Sequence, residues 1–172
     1  MTRYLFLKSL LILVLLTGCE KSTPEVNVLI FSKISPIHEA AIEAELLIMT
    51  KHRHKINVKL YPSSREKLAV MLSKRDGDVF ISTHEHLSQL LNKNGLKPLD
   101  QLIHSRNDIE DFYPFMTKNQ NGERHLYGLP INKHINLFEK NEIPVNEPLV
   151  AILPAFSKKQ AEGEEILKLF LD

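Results

Sequence analysis

The segment Val26-Asn27-Val28-Leu29-Ile30-Phe31 constrains the fold of this chain more than any other. Its apolar residues run on without the alternation of a half-solvated strand, so it fits a strand covered on both faces, as in parallel sheets between helical layers. Such a strand sits centrally and needs helices on either side. Ser35-Pro36 offers an N-cap and a proline at the first helical position. Ile37, Ala40, Ala41, Ala44, Leu47 and Ile48 then recur at helical spacing and predict the buried stripe of a first helix. Ile56-Asn57-Val58-Lys59-Leu60-Tyr61 alternates, which predicts a strand near a sheet edge, ended by Pro62-Ser63-Ser64. A second helix begins at about Arg65, buries Leu68, Met71 and Leu72, and stops at Gly77 in a left-handed cap. Asp78-Val79-Phe80-Ile81-Ser82 is the third strand. Ser82 and Glu85 fit a capping box, and Leu87, Leu90 and Leu91 make the stripe of a third helix ending near Gly95.

Strands alternating with helices of these lengths build right-handed βαβ units, so the fold class is α/β, with a mostly parallel sheet of core order 2-1-3 and helices on both faces. Beyond Gly95 the pattern weakens. Leu96 to Ile103 reads as a loop or short turn, and Asp108 to Met116 as a helix broken by Pro114. Leu149-Val150-Ala151-Ile152-Leu153 is a late returning strand. Ser157 with Gln160 is a further capping box, opening a last helix that buries Ile166, Leu167 and Phe170.

The start of the chain carries an address. Met1 to Lys8 holds two cations and no acid, and Leu10 to Leu16 is wholly apolar. That run is too short to span hydrocarbon, which takes about 20 residues, and reads as a cleaved signal. Leu16-Thr17-Gly18-Cys19 resembles the lipobox of bacterial lipoproteins. The resemblance implies diacylglycerol and an N-acyl chain on Cys19 and a lipid-anchored protein on the extracytoplasmic face of a cell membrane. Several acyl chains hold where one does not. The expected organisation is a signal peptide over 1–18, a lipidated tether over 19–25 and one domain over 26–172. Of the 22 basic residues Arg3 and Lys8 leave with the signal, so 20 face 21 acidic ones. A near-neutral domain offers no nucleic-acid field.

Asn121-Gly122-Glu123-Arg124-His125-Leu126-Tyr127-Gly128-Leu129-Pro130 resembles the segment leading into the hinge of extracellular solute-binding proteins of ABC importers. The lipobox, the βαβαβ start with Asp78-Val79-Phe80, and the tail from Ile152 through Ser157-Lys158-Lys159 to Leu171 follow in the same order. The resemblance implies a periplasmic-binding-protein-like fold that takes a small solute or presents a lobe to an ABC permease. In that family a second lobe is inserted after the hinge strand. Here only Asn132 to Pro148 is available, and a domain needs ~50 residues for its own core. The chain is therefore expected to be a single lobe. An alternative is a degenerate lobe that binds no solute and acts by contact with a membrane sensor or permease.

In an open parallel sheet, ligands sit beyond the carboxyl ends of the strands where the order reverses. That places Ser32 and Lys33 beside Ser82, Thr83 and His84 as candidate ligand-binding residues, with helix N-terminal amides that favour anions or carbonyl oxygens. Ser35, Ser64, Ser82 and Thr83 equally suit plain helix caps. His84-Glu85-His86 and His52-Arg53-His54 invite zinc. His84 and His86 diverge by about 200° on a helix, and His52 and His54 lie among cations, so no metal site is expected. The chain has no tryptophan for a sugar-stacking platform. It lacks a G-x-S-x-G elbow, an H-E-x-x-H and a P-loop, so no enzymatic role or further cofactor is expected.

Overall fold

A computed structural model describes residues 25–90, 95–119, 121–132 and 134–171. The signal segment, Cys19 and all of the tether but Glu25 lie outside the described residues, as do Leu91 and the side chain of Leu90. The first half of the chain runs β1 (Glu25–Ser32), α1 (Glu39–Met49), β2 (Lys55–Pro62), α2 (Arg65–Lys74), β3 (Val79–Thr83) and α3 (His84–Leu90). The second half runs α4 (Asp100–Ile103), a 3-10 segment (Ile109–Phe115), β4 (Met116–Lys118), β5 (Arg124–Leu126), β6 (Leu129–Ile131), α5 (Asn136–Glu139), β7 (Leu149–Ile152) and α6 (Gln160–Lys168).

The main sheet has the order β2-β1-β3-β7-β6, and β4 and β5 form a separate hairpin. β1 pairs in parallel with β2 and β3, Val28 lying level with Val58 and Val79. β7 is antiparallel to both β3 and β6, so it alone runs against the other four. The fold is α/β with a largely parallel sheet. The 2-1-3 core, the edge position of β2 and the late returning strand follow the sequence pattern. Pro130 sits in β6 at the far edge, where a missing N–H costs the ladder least.

Both faces of the sheet are covered. On one, Ile42 and Leu46 of α1, Leu137 and Phe138 of α5, and Ile166 and Leu167 of α6 pack on Val28, Ile30, Val79 and Ile81. On the other, Leu68 and Met71 of α2 and Leu87 of α3 pack on Leu29, Phe31, Phe80 and Val150. β1 serves both clusters through alternate residues, which is why its apolar run is unbroken.

Several local expectations are overturned. Pro36 opens a 3-10 turn (Pro36–His38) rather than the α-helix itself, and Ser35 makes no side-chain cap. The expected stripe of α1 is rotated out of the core: Ile37 and Ile48 are exposed, and Ile42, Glu45 and Leu46 are buried. The cause lies at the sheet edge. Val58 N–H donates to Glu43 Oε2 at 3.1 Å and Leu60 N–H to Glu39 Oε1 at 2.9 Å. The helix thus turns an i, i+4 pair of carboxylates toward the open edge of β2, which satisfies its amides and blocks pairing by another strand. α2 ends at Lys74, with Arg75 rather than Gly77 in the left-handed conformation. Gly77, with φ of +144°, is needed because a Cβ there would lie 2.7 Å from Leu29 Cδ1. The stretch from Leu96 contains the short helix α4. Pro114 falls inside the 3-10 segment, and Met116 already belongs to β4.

The two expected capping boxes are also reassigned. Ser82 is a strand residue, and Thr83 Oγ1 accepts the His86 N–H at 3.4 Å in its stead. Lys159 occupies the N-cap of α6 without a side-chain bond. Ser157 instead donates to the buried Asp78 Oδ1 at 2.9 Å, while Asn27 N–H donates to Asp78 Oδ2 at 2.9 Å. Asp78 therefore ties the entry of α6 to the sheet. Glu165 reinforces that tie through Arg53 and through His54 Nε2 at 2.6 Å.

Candidate functional site

The carboxyl ends of β1, β2 and β3 meet at one edge, and the chain turns there into the 3-10 turn, α2 and α3. Lys33, Thr83 and His84 share a cleft of about 400 Å³ at this edge with Ser63, His86 and Glu147. Ser32 and Ser82 do not line it. Ser32 is buried, and its Oγ accepts the Ile34 N–H at 3.2 Å, shaping the turn that presents Lys33. Ser82 is fully buried, and its Oγ has no hydrogen-bond partner among the described residues. Three of the five ligand-binding candidates thus share one opening, and Ser32 and Ser82 are buried away from it.

Three of the amides at this edge are met from within the chain. Lys33 N–H donates to Glu147 Oε1 at 2.7 Å. Ser64 Oγ accepts the Lys67 N–H at 3.2 Å, and Thr83 serves α3 in the same way. The capping reading therefore holds for Ser64 and Thr83, and fails for Ser35 and Ser82. Side chains carry the remaining recognition capacity: the Lys33 ammonium, the imidazoles of His84 and His86, and the carboxylates of Glu85 and Glu147. His86 Nδ1 is closed from solvent and has no hydrogen-bond partner among the described residues. The neighbouring Glu66 carboxyl is held below its ordinary value by its own backbone amide and the Ser64 hydroxyl.

Glu147, His86 and Ser63 are cleft residues that the strand-order argument did not pick out. Ser63 follows directly from the end of β2. Glu147 reaches the edge only because Asn132 to Pro148 folds back across it, anchored by Leu137, Phe138 and Ile143 in the core and by Lys140 Nζ on the buried Glu45 at 2.8 Å. No pattern in the sequence announces that path.

Among the described residues, no three His, Cys, Asp or Glu side chains are placed to hold a metal ion, and no helix is long and apolar enough to cross a membrane. His52 adopts a left-handed conformation, and His54 is engaged with Glu165.

No family model matches the chain. It is similar to a Bacillus subtilis (strain 168) protein provisionally designated lipoprotein YteS, with 22% identity over 153 residues, which make up 88% of this chain and 86% of that one. A match of that extent involves the folded domain and not the leader alone.

Proposed function

We propose that the chain is a lipoprotein tethered through diacylglycerol and N-acyl lipid on Cys19 to the extracytoplasmic face of a cell membrane, where its edge cleft takes a small solute and presents it to an ABC permease. The observation that carries the solute reading is the cleft shared by Lys33, Thr83 and His84, placed where open parallel sheets hold ligands. The lipid reading rests on Leu16-Thr17-Gly18-Cys19 and on the similarity to a lipoprotein along most of the chain. The function so described has no catalytic step and no cofactor beyond the anchor.

Metabolic labelling with an alkyne fatty acid in a bacterial host tests the anchor. Label and membrane retention are expected for the natural chain, and neither for Cys19→Ala. Thermal melts against a panel of amino acids, sugars, peptides and anions test the cleft. A ligand at 100 times its Kd adds about 2.7 kcal/mol, which for a domain of this size is a rise of roughly 5 to 10 °C. Lys33→Ala should erase that rise. A panel with no rise, or a rise that Lys33→Ala leaves intact, would sink the cleft.

A second reading, contact with a membrane sensor or permease and no solute, draws on the short crossing. Asn132 to Pro148 supplies one carboxylate over the edge, and Ile37, in the 3-10 turn that follows β1, is 81% exposed. Pull-down from membranes with an Ile37→Asp control separates the two readings.

A further inference from the structure

Next to the edge cleft, and sharing His84 with it, lies a second pocket of about 190 Å³ on the α2–α3 face of the sheet. The geometry points to a binding site here for one flat, uncharged aromatic ring bearing at most a single polar substituent, with phenol and indole as its simplest forms. The walls are carbon: Leu87 from α3, Leu96, Phe115 from the 3-10 segment, Met116 from β4, and Val150 and Ile152 from β7. Among the described residues, polar side chains line it at His84, Ser88, Thr117 and Tyr127.

Size and lining together select the ligand. An apolar cavity of roughly 150 Å³ takes benzene, so this volume suits one ring or a small fused pair. A pyranose would carry a hydroxyl on nearly every carbon into walls that are mostly carbon, and each hydroxyl left unmatched costs free energy. The rings already present set the contact geometry: His84 meets Phe115 edge-on, with centroids 5.3 Å apart, and Tyr127 contributes a third ring. Gly128 keeps one wall thin, since a Cβ there would lie 2.8 Å from Val150 Cγ1.

Methionine methyl NMR on the full-length chain, titrated with indole, reads the pocket directly, because Met116 lines it and Met49 lies on α1 across the sheet. A saturable shift of the Met116 methyl with Met49 unmoved is expected. Ser88→Trp, at an exposed position on the pocket rim, should abolish the shift while leaving the melt unchanged. Glucose should move neither methyl. No Met116 shift, a parallel shift at Met49, a shift that survives Ser88→Trp, or an equal response to glucose would each overturn the assignment. Lys33→Ala should leave the indole response intact, so failure of the edge cleft and failure of this pocket are read separately.

Discussion

On the face covered by α1, α5 and α6, Leu46, Phe138 and Ile166 are closed from solvent within one continuous cluster, whereas on the face covered by α2 and α3, Leu87, Leu96 and Val150 border an open pocket. The difference follows from how each face is roofed. The first face receives two late segments, α5 from the returning connection and α6 from the tail, which fill the space beside α1. The second receives α2 and α3, and the chain from Pro114 to Thr117 borders the remaining space as one wall of the pocket. Stability should therefore concentrate on the filled face and recognition on the other. Substitutions can break that division.

The largest effect is expected from Phe138→Ala. Its ring is 1% exposed and packed from all sides, so truncation leaves a dry cavity that costs about 3 to 5 kcal/mol. Urea denaturation should show the midpoint fall with an unchanged slope. Leu87→Ala, across the sheet, is also nearly closed from solvent at 3%. Its void would merge with a pocket that already reaches water, so the cost should sit near the low end of the Leu→Ala range, about 2 kcal/mol. A Leu87→Ala loss as large as that of Phe138→Ala would mean that the two faces are packed alike.

A smaller effect is expected at the start of α2. Ser64→Ala removes the bond to the Lys67 N–H and should cost about 1 kcal/mol. It also frees Glu66, whose lowered pKa owes most to its own backbone amide and next to Ser64. A carboxyl whose pKa is lower folded than unfolded stabilises the fold above its unfolded pKa, and that contribution fades as pH falls through the folded value. Ser64→Ala should therefore raise the Glu66 pKa toward its ordinary value in a carboxyl NMR titration and flatten the acid limb of the melt. An unmoved Glu66 resonance would show that the backbone amide alone holds it.

How far the sequence could be read differs along the chain for a physical reason. β1, β2 and β3 announce themselves because burial on two faces or one prints directly onto the pattern of apolar residues, and their order follows from the handedness of βαβ crossovers. α1 misleads because its buried face is chosen by Glu39 and Glu43 reaching for the amides of β2, an edge requirement that apolar spacing does not encode. The connection from Asn132 to Pro148 reads, by its length alone, as too short for a lobe. Its landing on the Lys33 amide through Glu147 depends on a contact 114 residues apart, which no local signal carries. The same limit applies to the apolar pocket, whose walls come from five separate stretches of the chain.

The smallest effect expected is also the most pointed. In the sequence Ser82 looks like the cap of α3, and its loss would then cost about 1 kcal/mol. In the fold Thr83 does that work, and the Ser82 hydroxyl is 0% exposed with no partner among the described residues. A buried hydroxyl left unmatched costs the folded state desolvation without return. Ser82→Ala should therefore leave stability within about 0.5 kcal/mol of the natural chain or raise it slightly. Ser82 does not line the apolar pocket, so Ser82→Ala should also leave the indole shift of the Met116 methyl in place. A loss near 1 kcal/mol would instead return Ser82 to the cap of α3.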